Sequence, residues 1–137
     1  MTTMKIEYEE GHRTKIQSLE GGSSVYTDVP QAFGGKGKEM SPTDLFAASL
    51  GSCILSVMGL QAKKLGISLQ GAKALVTKNQ GSIPGGIGEI TVHVYFSETL
   101  SHEVQQKLEK AAKTCPVHNC IDAKVKQEVV FHWGESP

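Results

Sequence analysis

Apolar and polar residues alternate through the first thirty positions, and that period of two predicts strands. Met1 to Glu10 places Met4, Ile6 and Tyr8 on one side. Gly11 offers a turn. His12 to Leu19 then puts Thr14, Ile16 and Ser18 on one face and Arg13, Lys15, Gln17 and Leu19 on the other. Glu20-Gly21-Gly22-Ser23 is a hairpin signal, and Ser24 to Val29 alternates again. The expectation is a three-stranded antiparallel meander. Pro30 to Met40 (PQAFGGKGKEM) has no periodicity and reads as a loop.

Ser41-Pro42-Thr43-Asp44 is a helix start. Ser41 is a good N-cap, Pro42 suits the first helical position, and Asp44 sits at capping-box distance beside the positive helix end. The helix predicted over Leu45 to Leu65 stops at Gly66. Its apolar residues (Leu45, Phe46, Leu50, Ile54, Leu55, Val57, Met58, Leu60, Leu65) run most of the way round, so it is expected to be buried on all sides. The charge-free stretch is at the short end of a membrane span and holds Ser49, Gly51, Ser52 and Ser56, so no membrane is expected.

Gly71 to Asn79 and Ile87 to Phe96 read as strands joined by QGSIPGG, the second with Ile90, Val92, Val94 and Phe96 on one face. Ser101 caps a helix with a narrow stripe of Val104, Leu108, Ala111, Ala112 and Cys115. Pro116 ends or bends it, Val117 to Ala123 allows one short helical turn, and Val125 to Trp133 is a last strand. The order βββαββαβ is an α+β fold with a mostly antiparallel sheet and a long buried central helix. One domain, residues 1–137, is expected. The strands and the second helix cover two sides of the central helix at most. A second copy of the chain is the simplest cover for the rest, hence a homodimer.

Composition narrows the function. The 137 residues carry 14 Lys+Arg against 14 Asp+Glu, a net charge of zero that argues against bulk capture of nucleic acid or an anionic membrane. Three cysteines, an odd number without a secretory leader, favour a cytoplasmic protein with reactive or metal-binding thiols over a disulfide-stapled one. Cys53 lies mid-helix and Cys115 ends the second stripe; each reads equally as a small core residue. Cys115-Pro116-Val117-His118-Asn119-Cys120 lacks the C-x-x-C spacing of structural zinc or thioredoxin-type sites. Arg13 is the only arginine.

Gly34 to Cys53 (GGKGKEMSPTDLFAASLGSC), with Met58 and Gly66, resembles the core signature of the OsmC/Ohr family of hydroperoxide reductases. Ala111 to Val117 (AAKTCPV) resembles its second signature, and the GHR start and GGKG loop are similar to the OsmC-like branch. The resemblance implies an intertwined homodimer with the site at the interface, no cofactor, and thiol peroxidase chemistry in oxidative-stress defence. Cys53 would be the peroxidatic thiol and Cys115 the resolving thiol. Arg13 would hold Cys53 as thiolate, and a dithiol such as a dihydrolipoyl protein would be the reductant. Phe46, Leu50 and Met58 would form an apolar pocket favouring organic hydroperoxides. Where the family places a Glu that orients the arginine, this chain has Thr43; Asp44 and Glu39 are the nearby carboxylates. Two alternatives stand beside this one: a non-catalytic protein binding a lipid-like ligand in the same pocket, and a zinc protein.

Overall fold

The computed structural model describes residues 1–137, and its elements follow the order that the hydrophobic pattern predicts. Strands β1 (Met4–Glu9), β2 (Arg13–Ser18) and β3 (Ser24–Asp28) form an antiparallel sheet in that order. The β1–β2 turn closes on the pair Glu9↔Arg13, with Gly11 (φ 88°) and His12 (φ 64°) both left-handed. Glycine adopts that backbone freely; a side-chain residue does so rarely, histidine more readily than most. The segment read as plain loop contains one turn of 3-10 helix, Gln31–Phe33. It then folds back so closely that a Cβ on Gly35 would overlap the Val29 carbonyl oxygen.

Helix α1 spans Pro42–Lys64 and starts as its capping motif dictates. The Asp44 N–H donates to Ser41 Oγ (3.1 Å), and the Ser41 N–H donates back to Asp44 Oδ2 (2.9 Å). This reciprocal pair satisfies two amides that the helix start leaves open. Lys63 and Lys64 complement the negative helix end, and Gly66 (φ 74°) takes the left-handed turn beyond it. Burial within the single chain is confined to one side of α1. Only the stripe Ala47, Leu50, Gly51, Ile54, Met58 and Ala62 is buried, while Phe46 and Leu60 are 48% and 64% exposed. The chain supplies cover for one face of α1 and leaves the others open. By length and composition α1 could cross a bilayer, but a core helix passes the same test, and this stripe packs into a protein core.

The chain divides into two compact units, Met1–Phe46 and Ala47–Pro137. In the second unit, β4 (Lys73–Asn79), β5 (Glu89–Phe96) and β6 (Lys126–Trp133) form a sheet in sequence order. β4 is antiparallel to β5, whereas β6 is parallel to it. A parallel neighbour needs a crossover, and α2 (His102–Ala112) with α3 (Pro116–Cys120) supplies it. Ile90, Val92, Val94 and Phe96 point into a core shared with Leu50, Ile54, Met58, Leu108 and Cys115. Gly51 lets α1 approach β4: a Cβ there would lie 2.6 Å from Val76 Cγ2. Every buried apolar side chain belongs to this second unit; the first buries only Thr27, Asp28 and Ser41.

Candidate active site

Cys53 comes from the middle of α1 and is half-buried; Cys115 is fully buried as the N-cap residue of α3. The two thiols adjoin in the core of the second unit, near enough for Cys53 to perturb Cys115. Two features of local sequence place Cys115 there. Thr114 and Cys115 leave the helical path of α2, and Pro116 starts a new helix at its first position. As N-cap, Cys115 Sγ accepts the His118 N–H at 3.4 Å. His118 is itself fixed to β6. Its Nδ1 donates to Gln127 Oε1 (2.6 Å), while Gln127 Nε2 donates to the His118 carbonyl (3.2 Å).

Burial pushes the Cys115 thiol above its ordinary pKa, and the adjoining Cys53 sulfur pushes it further. The backbone amides of His118 and Val117 act in the opposite sense. The net effect keeps Cys115 protonated at neutral pH. Cys120 ends α3 and is exposed.

Arg13 opens β2 in the first unit. Its guanidinium lies over the Tyr26 ring, 4.5 Å from the centroid, and its Nη2 donates to Glu39 Oε1 at 3.4 Å. Both side chains of that pair are more than a third exposed, 34% and 43%, so solvent screens it. Asp44, the other carboxylate proposed from sequence, closes the α1 capping box. Sequence reasoning missed Asp28. It is 2% exposed, faces Arg13 in register across β2 and β3, and its Oδ2 accepts the amides of Lys38 and Glu39, each at 3.0 Å. The hairpin register was the signal that could have found it.

The three side chains assigned to an apolar pocket do not share one environment. Leu50 and Met58 are both 0% exposed and belong to the core of the second unit. Their role as pocket walls is thereby corrected: a side chain enclosed by β5 and α2 neighbours has no surface to offer a ligand. Phe46, 48% exposed, does have such surface.

An α+β chain with two three-stranded sheets, a central helix carrying one cysteine and a second cysteine heading a short helix defines a class of thiol protein. The OsmC-like protein family model matches residues 35–130. The chain belongs to that family. It is 30% identical to an uncharacterised protein of Acinetobacter baylyi over 111 residues, covering 80% of this chain and 78% of that one. A solved structure from Psychrobacter arcticus, of a proposed osmotic stress induced and detoxification response protein, is 36% identical. It superimposes with a TM-score of 0.91 over 96% of each chain. The organic hydroperoxide resistance protein OsmC of Legionella pneumophila shares the fold, with a TM-score of 0.73 over 96% of each chain at 21% identity.

Proposed function

We propose that this protein is a cofactor-free thiol peroxidase that reduces organic hydroperoxides to alcohols. The observation that carries the reading is the placing of Cys53 and Cys115 side by side, two thiols brought to one core from distant parts of the chain. Cys53, half-buried, attacks as thiolate. Its sulfur takes the terminal peroxide oxygen, the O–O bond breaks, and the alkoxide leaves as alcohol after taking a proton. The product is a Cys53 sulfenic acid. The adjoining Cys115 sulfur then displaces water from it and forms a disulfide. An external dithiol reduces that disulfide by two exchange steps and is itself oxidised to a disulfide.

Within this reading Cys115 has two functions. Held protonated by burial, it stays a neutral neighbour while Cys53 attacks. Once Cys53 is oxidised, the His118 and Val117 amides stabilise negative charge on Cys115 as it ionises to attack. Arg13, the only arginine, supplies the cation that favours the Cys53 thiolate. The family resemblance supports that role.

The working form in this proposal is a homodimer in the cytoplasm. The first unit buries no apolar side chain, yet Met4, Ile6 and Tyr8 of β1 are 56%, 64% and 65% exposed along one sheet face. A second copy of the chain is the partner that covers such a face.

The decisive assay is consumption of cumene hydroperoxide with dihydrolipoamide as reductant. Turnover is expected in the wild type, with loss in Cys53→Ser at unchanged circular dichroism. Full turnover in that variant would end the reading.

A further inference from the structure

Asp28 and Arg13 are cross-strand partners on one face of the first sheet, which sets their Cβ atoms about 5 Å apart. Each buries one polar atom that has no hydrogen-bond partner: Arg13 Nε, a donor, and Asp28 Oδ1, an acceptor. Buried polar groups are normally paired, because desolvation without a partner is unfavourable, most of all for an ion. Here the two unmet atoms are of complementary kind and belong to register partners.

We propose that Asp28 is the carboxylate that positions Arg13, taking the part for which Glu39 and Asp44 were the candidates from sequence. This inference rests on the peroxidase reading for its consequence, though not for its geometry. Three observations carry it. The two backbone amides on Asp28 Oδ2 fix the carboxylate plane, so Oδ1 has one direction. Those amides belong to Lys38 and Glu39, so Asp28 also anchors the residue that pairs with Arg13 from the solvent side. Asp28 is 2% exposed, whereas the Glu39 side chain is 43% exposed and its contact is long, at 3.4 Å. In the proposed arrangement the Arg13 side chain turns its Nε–H toward Asp28 Oδ1. The other charged or titratable groups on this face are Glu9, register partner of Arg13 on β1, Glu7 and Lys5 further along β1, Lys15 on β2 and Tyr26 on β3, with Glu39 from the loop. Asp28 is therefore a positioning residue, acting on the thiol through Arg13.

Two measurements test it. In a Cys115→Ser/Cys120→Ser background, Cys53 is the only thiol, and its alkylation by iodoacetamide is followed against pH. Arg13→Ala is expected to move the midpoint up by about one unit or more, as loss of a nearby opposite charge does. Asp28→Asn, which keeps the side-chain shape, should give at least half that shift, and the double variant no more than Arg13→Ala alone. Glu39→Gln should give less, and Glu9→Gln none. An unmoved midpoint in Asp28→Asn, or full additivity with Arg13→Ala, would overturn the proposal. An unmoved midpoint in Arg13→Ala would instead overturn the thiolate role given to Arg13.

The second measurement covers the case in which Asp28→Asn does not fold. The unmodified protein has one arginine, so its proton–nitrogen NMR spectrum holds a single guanidinium Nε–H. Exchange of that proton with water is expected to be slowed at least tenfold relative to a free arginine at the same pH. Exchange at the free rate would overturn the assignment of Asp28.

Discussion

Cys53, midway along α1, and Cys115, at the head of α3, adjoin inside one core, though the chain brings them there from separate helices. Sulfurs in that relationship need little motion to bond. One equivalent of hydroperoxide is expected to link them within a chain and remove two hydrogens from its mass. Peptide mapping should find the 53–115 link in the wild type and in Cys120→Ser, whose lost thiol is the exposed one. It should be absent when either Cys53 or Cys115 is serine. A 115–120 or 53–120 link in its place would reassign the resolving thiol.

The same contact fixes a pH dependence of stability. The folded-state pKa of Cys115 is raised by burial and by Cys53, so the folded chain holds that proton more tightly than the unfolded chain does. The stabilisation is complete below the unfolded thiol pKa, roughly 8.5. Above it, the unfolded chain ionises first and stability falls, by up to ~1.4 kcal/mol per pH unit, until the folded thiol also ionises. Urea unfolding of the reduced protein between pH 7 and 10 should show that decline. Cys115→Ala, measured over the same range, should flatten it.

Strand alternation carried much of the fold. Ile90, Val92, Val94 and Phe96 are buried as their spacing says, and α1 begins at the capping motif that Ser41 and Asp44 form. Direction is another matter. A period of two is the same in a parallel and an antiparallel strand, so nothing in Lys126–Trp133 announced that β6 runs parallel to β5. The apolar residues round α1 said that it needs cover, and the element count said that one chain supplies too little of it, but neither said which residues would be left open; Phe46 and Leu60 are. At the site, Cys53 lies on the helix that the pattern predicts, whereas Cys115, read as the end of the α2 stripe, lies beyond α2 as the N-cap of α3 because Pro116 starts a new helix there. Asp28 was not legible, because an aspartate ending a strand reads as a turn residue until its register places it opposite Arg13.

Gly51 tests the approach of α1 to the second sheet. An added methyl would lie 2.6 Å from Val76 Cγ2, far inside van der Waals contact, in a core with Val92 alongside. Gly51→Ala gains helix propensity of up to ~1 kcal/mol, but forcing the overlap costs about 1–3 kcal/mol. A net loss is therefore expected in chemical denaturation. Adding Val76→Ala removes the clashing methyl and should return part of that loss, a coupling that independent sites would not show.

The apolar row Ile6–Ile16–Val25 crosses the first sheet from edge to edge, and Ile6 and Val25 are 64% and 42% exposed in the single chain. Covering side chains of this kind is worth about 1.5–3 kcal/mol each. If a second copy supplies the cover, light scattering at micromolar concentration will give twice the mass of the chain. Ile6→Glu with Tyr8→Glu would then place two carboxylates on the buried face, beside Met4. The loss of apolar burial alone, about 3 kcal/mol or more, weakens association over a hundredfold. The double variant should therefore run as monomer at concentrations where the wild type is dimer, with the far-ultraviolet spectrum of the second unit retained. A wild type of single-chain mass would remove the dimer from the proposed function.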